Sequence, residues 1–170
     1  ARKFKGANIY DLYKENCIKI EYFEEHNAYY GVNFRGQVTM DRKEVKVGLY
    51  RESIKELAVN SGYLGKKPID YEMALKIHLS HEFFHFLEFE NNEFVSDILD
   101  SIDIIKFVFF KREARINRTS EIAAHAFVKE MLGLSHLPNI YDYIYLVNSG
   151  KMTFSNFEKM IIRLNDIISY

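Results

Sequence analysis

"MALKIHLSHEFFHFLEFE", Met73 to Glu90, decides how this chain is read. Aliphatic and aromatic side chains crowd around His78, His81 and His85, and the run has the length and apolar character of a buried helix. Imidazoles and a carboxylate in such a setting are costly unless each has a partner. On a helix, residues i and i+4 share a face, so His81 and His85 can both reach one zinc ion at about 2.0–2.1 Å. Glu82 then flanks the metal instead of binding it. From there its carboxylate can take a proton from an activated water and later return it to a leaving amine. The spacing H-E-x-x-H is thus a mechanism as well as a pattern, and chance should produce it in roughly one chain in fifty of this length and composition. Ordinary core histidines are the weaker reading.

Catalytic zinc commonly has three protein ligands. "HEFFHFLEFEN" offers neither a glycine nor a third histidine beyond His85, so the third ligand must come from another element. The best source is "RTSEIAAHAFVKEML", Arg118 to Leu132, a helix that Thr119 or Ser120 can cap and on which Glu121 and His125 share a face. Glu121 is the expected ligand. His125 behind it either supports a ligand or donates to the oxyanion of a tetrahedral intermediate. The competing reading makes Glu121 a first-turn acid favoured by the helix dipole. His78 reads as a hydrogen-bonded group behind the metal face, because a third imidazole from one straight helix would strain a tetrahedral site. Glu88, Asp97 and Asp100 are candidates to orient the outer imidazole nitrogens, with none preferred.

Working outward, "IYDLYKENC" predicts a short amphipathic helix with Ile9, Leu12, Tyr13 and Ile18 on its apolar side. "CIKIEYF", "AYYGVNFRG", "QVTMD" and "EVKVGLY" alternate or are rich in β-branched and aromatic residues, with Asn27, Gly31 and Gly36 as turn punctuation. These predict a small antiparallel sheet in the first third. From Arg51 onward helical periods take over, broken most clearly at "SGYLGKKP", after which Asp70 can cap the histidine helix. A sheet followed by a run of helices argues an α+β fold in a single domain over 1–170.

Lys plus Arg (23) nearly balances Asp plus Glu (24), so no global charge advertises nucleic acid or an anionic membrane. Cys17 is the only cysteine, which excludes an internal disulfide and a thiolate metal cluster and favours a reducing, cytoplasmic setting. No apolar run approaches the roughly 20 residues that span a bilayer, and "ARKFKGANIYDLYKEN" lacks the apolar core of a signal peptide.

"KIHLSHEFFHFLEF" resembles the active-site helix of the ImmA/IrrE family of zinc metallopeptidases, members of the gluzincin group, and "EIAAHAFVKEMLGL" is similar to that family's E-x-x-A-N-x-F-A-x-x-L-L segment. Glu121, Ala124, Phe127 and Leu132 fall in register with the second pattern. The resemblance implies a zincin-like fold, zinc on His81, His85 and Glu121, and Glu82 as general base. It also implies a substrate strand added to the sheet edge. The implied substrate is a regulatory protein, often a DNA-binding repressor, cut at one or a few places. Departures are His125 where the family usually has asparagine, Val128 in place of a small alanine, and the long insertion "NNEFVSDILDSIDIIKFVFFKREARINR", which reads as an additional helix.

Other features read as structure. Lys111, Arg112, Arg115 and Arg118 suit a solvated helix end better than a phosphate grip. Tyr141 or Tyr143 could donate to an oxyanion, although tyrosines at helical spacing usually pack. Phe157, Met160, Ile161, Leu164 and Ile167 form a stripe for the core or a partner. Two functions compete: a zinc endopeptidase that cuts a protein or peptide, and a catalytically silent protein that keeps the fold and binds a partner.

Overall fold

The period-2 pattern of "VKVGLY" puts Val47 and Leu49 on one face, where both are fully buried, and Lys46 and Gly48 on the other. The computed structural model describes residues 1–24, 28–29, 32–41, 44–98 and 117–168. Its strands are β1 (Ile18–Phe23), β2 (Ala28–Tyr29), β3 (Val32–Asn33), β4 (Gly36–Met40) and β5 (Val45–Tyr50). β5 lies at the centre of a three-stranded sheet of order β1-β5-β4, while β2 and β3 form a separate antiparallel pair.

The main sheet is mixed, which corrects the expected antiparallel arrangement. β4 runs antiparallel to β5, from Gly36 opposite Leu49 to Met40 opposite Val45. β1 runs parallel to β5, from Ile18 opposite Val45 to Phe23 opposite Tyr50. Alternation within a strand reports which face is buried, not which way its neighbour runs. Gly48 fits the parallel pairing: a Cβ there would lie 2.6 Å from the ring of Phe23, so only glycine lets that ring lie over the sheet. Gly36, expected as turn punctuation, is the first residue of β4.

The helices are α1 (Ile9–Glu15), α2 (Arg51–Val59), α3 (Tyr71–Asn91), α4 (Val95–Ile98), α5 (Asn117–Leu132), α6 (Ile140–Asn148) and α7 (Phe154–Ile168). The α+β class is as expected. Asn8 caps α1 by accepting from Tyr10 N–H, and Ile18 opens β1 instead of extending the apolar side of α1. Asp70 caps α3 as expected, accepting from Met73 N–H at 2.7 Å. α3 ends at Asn92, whose left-handed φ of 51° lets Glu93 N–H bond back to the Glu88 carbonyl at 3.0 Å. Of the expected additional helix, the described residues show only the single turn α4. Asp100, Lys111, Arg112 and Arg115 lie outside them, and Arg118 is described only as backbone of α5.

α3 is apolar around its circumference because it is covered on several sides. Toward the sheet and α1, Phe83 sits at the centre of an aromatic cluster with Phe4 (5.7 Å between ring centres), Tyr13 (6.0 Å), Phe86 (5.7 Å) and Phe127 (6.4 Å). Toward α2, α5 and α6, Ile77 joins Leu57, Val128, Tyr141, Ile144 and Tyr145 in a second buried cluster. Each such side chain contributes roughly 1.5–3 kcal/mol on burial. Together the clusters fix the height and rotation of α3 against the β4 edge on one side and α5 on the other. Among the described residues, no helix is long and apolar enough to cross a membrane.

Candidate metal centre

Packing α5 beside α3 brings Glu121 opposite the two histidines that the i, i+4 spacing had aligned. Glu121 Oε2 lies 3.1 Å from His81 Nε2, and Glu121 Oε1 lies 3.4 Å from His85 Nε2. The two imidazole Nε2 atoms are 3.2 Å apart. Four ligands placed tetrahedrally at zinc–nitrogen distances would stand about 3.3–3.4 Å from one another. The observed triangle therefore has the right size for three corners of that tetrahedron, and the two imidazoles and one carboxylate are the right donors. His81, His85 and Glu121 are the group among the described residues whose ligand atoms converge in this way. Glu121 is more than half exposed, so the triangle opens to solvent on that side.

The electrostatics favour positive charge at this point. Hydrogen bonds from His81 and His85 hold the Glu121 carboxyl well below the usual carboxylate range. Burial works against a charged His85, but its hydrogen bonds with Glu121 and Glu88 outweigh that and raise its pKa to about 9. A divalent ion would meet the same preference.

Glu82 is buried on the β4 side of α3, where Oε2 accepts from Val38 N–H at 2.9 Å. Burial pushes its carboxyl up, opposed by His81, His85 and the Val38 amide. Gly36 leaves the room this requires: a Cβ there would stand 3.1 Å from Glu82 Oε1 and 3.3 Å from its Cγ. Tyr13, whose hydroxyl donates to the Leu79 carbonyl at 2.9 Å, closes the core side.

The outer nitrogen of His85 is oriented by Glu88. Its Nδ1–H donates to Glu88 Oε2 at 2.9 Å, since a carboxylate can only accept. Glu88 is the candidate of the three that is seen bonded to a ligand imidazole among the described residues; Asp97 is exposed on α4 and Asp100 lies outside them. Ser120 does not cap α5, which begins at Asn117; its hydroxyl donates to Glu88 Oε1 at 2.7 Å. Glu121 accordingly lies beyond the first turn, where dipole compensation would have explained it.

His125 stacks obliquely on His81, with ring centres 5.0 Å apart, and its Nδ1 is buried without a hydrogen-bond partner among the described residues. Burial, and then the His81 charge, lower its pKa to about 4. His78, expected to be hydrogen-bonded, has its Nε2 buried without a partner among the described residues. Burial, and next the Arg35 charge, keep His78 far below its ordinary pKa. Beside these rings lies an ion pair with no local signature: Arg35, between β3 and β4, bonds Asp142 on α6 and stacks its guanidinium on Tyr145, 5.1 Å from the ring centre. Tyr141 packs on His136 (5.1 Å) and Tyr143 on Phe157 (5.8 Å), as tyrosines at helical spacing usually do.

Comparison of the chain with protein-family models, curated proteins and solved structures finds no match in any of the three.

Proposed function

We propose that this chain is a zinc-dependent endopeptidase of zincin-like fold and ImmA/IrrE type. The observation that carries the reading is the triangle of His81, His85 and Glu121, closed from two helices to zinc-sized edges with the buried Glu82 carboxylate at its flank. Zinc held there would supply Lewis-acid polarisation of the scissile carbonyl and activation of water. Glu82 accepts the proton of the attacking water and passes it to the leaving amine. The Val38 amide and the space at Gly36 keep that carboxylate facing the cleft. His125, one turn beyond Glu121 and against His81, donates to the developing oxyanion.

The substrate on this reading is a protein or peptide, a regulatory or DNA-binding repressor protein being the class the family likeness suggests. It lies extended along the side of β4 away from β5, which no other strand pairs among the described residues and where Glu82 holds the Val38 amide. The near balance of charge supports a protein target over direct contact with nucleic acid. A reducing, cytoplasmic setting fits the single exposed Cys17.

Glu82→Gln tests the mechanism. In a peptide-library cleavage assay, with zinc content measured in parallel, it should retain zinc and lose at least about 10²-fold in rate. Cleavage at the parental rate would remove Glu82 from the mechanism, and intact capture of a partner by the zinc-loaded parent would favour the silent-binder alternative.

A further inference from the structure

Glu88 is a buried carboxylate with only 5% of its surface exposed, and it is bonded from three directions. Its Oε2 takes the Nδ1–H of His85 at 2.9 Å; its Oε1 takes the backbone N–H of Val95 at 3.0 Å and the hydroxyl of Ser120 at 2.7 Å. Its own backbone carbonyl accepts Glu93 N–H as α3 ends. These contacts touch one residue of the triangle and the chain neighbour of another. His85 is one turn back on α3. Ser120 immediately precedes Glu121 on α5, so the pin between Glu88 and Ser120 fixes where the Glu121 carboxylate stands relative to the histidines.

We propose that Glu88, acting with Ser120, is the positioning residue of the metal centre. It holds the His85 ring with Nε2 toward the triangle and locks α5 at the rotation that delivers Glu121. This rests on the zinc reading above and adds to it that affinity is set by a carboxylate that never touches the ion. The physical reasons are two. Donation from Nδ1–H to a carboxylate fixes the ring orientation and makes Nε2 a stronger ligand. A buried carboxylate must also keep its donors, so the three elements that supply them cannot drift apart without exposing an uncompensated charge.

The test is a zinc titration in competition with a chromophoric chelator, run on the parent, Glu121→Ala, Glu88→Gln and Ser120→Ala. A proton spectrum of each zinc-loaded protein is recorded in the region where hydrogen-bonded imidazole N–H groups resonate. Glu88→Gln keeps the shape but cannot accept on both sides. It should lose 10- to 100-fold in zinc affinity, about the range for groups that orient ligand imidazoles. The downfield His85 Nδ1–H resonance should move or vanish. Ser120→Ala, which removes one donor from a helix surface, should lose about tenfold, at the low end of the same range. It decides the matter alone if Glu88→Gln does not fold. Parental affinity and an unmoved resonance in both variants, with Glu121→Ala still losing the metal, would overturn the role of Glu88 while leaving the triad intact. Absence of zinc binding by the parent would overturn the triad itself, and the positioning role with it.

Discussion

Supplying zinc should raise the thermal midpoint of the parent protein and barely move that of Glu121→Ala, by amounts that can be worked out beforehand. A ligand at 100 times its dissociation constant stabilises the folded state by about 2.7 kcal/mol. A chain of 170 residues unfolds with an entropy near 0.36 kcal/mol/K, taking about 2.1 cal/mol/K per residue, so the parent should gain about 7 °C. Structural zinc sites with four ligands bind with roughly 10–16 kcal/mol, or ~3 kcal/mol for each ligand, so losing Glu121 should weaken binding at least 100-fold. The same zinc concentration then sits near the variant's dissociation constant, which leaves about 0.4 kcal/mol and a shift near 1 °C. Differential scanning calorimetry, with each protein referred to its own metal-free midpoint, makes the comparison. A shift of 7 °C in both would mean that zinc is held elsewhere and that the triangle of 3.1, 3.2 and 3.4 Å is coincidental.

Three further outcomes follow from the packing around the site. Gly36→Ala forces Glu82 aside by a few tenths of an ångström, so proteolysis should slow several-fold while zinc content stays the same, and stability should change by less than about 1 kcal/mol in urea denaturation because a strand Ala is no worse than Gly. Phe83→Ala hollows out the aromatic cluster beneath the histidine helix and should cost about 3–5 kcal/mol by the same assay; a cost below 1 would mean that the cluster collapses around the gap. Asp142→Asn leaves the Arg35 guanidinium short of its counter-charge, and should cost ~2 kcal/mol, less than a fully buried pair because Asp142 keeps 38% of its side chain exposed. No change in stability would show that solvent already screens the pair.

The convergence of His81, His85 and Glu121 was legible in the sequence because two of the three obey a local rule. His81 and His85 are four residues apart on a helix whose period is unmistakable, and Glu121 stands at the head of the next strongly helical segment that also carries a histidine. The boundaries of β4 and β5 were legible for a similar reason, since burial alternates along those two strands. Partner direction was not: the parallel pairing of β1 with β5 depends on how the chain between them is routed, and the alternation of Ile18 and Ile20 is the same either way. Arg35 and Asp142 were also out of reach, being 107 positions apart and each unremarkable in its own segment. Glu88 lay between these cases. Its place three residues after His85 made it a candidate, and the bonds from Ser120 and Val95 that hold its carboxylate came from segments the local pattern does not link to it.

The bond from Val38 N–H to Glu82 also bears on the order in which the protein is made. β4 and β5 are joined by a short turn, where Glu44 N–H bonds the Asp41 side chain at 2.9 Å, so this hairpin can form early from local contacts. The groups around Glu82 and the metal triangle come from much farther apart: Val38 lies 44 positions before Glu82, and Glu121 is on a helix synthesised later. Such distant contacts are slower to close. A chain emerging from the ribosome therefore carries "HEFFH" when the β4–β5 hairpin has already been synthesised but the Glu121 carboxylate, which completes the triangle, has not. On this fold the triangle exists only in the finished tertiary structure, and the chemistry proposed for it waits on the last of these contacts.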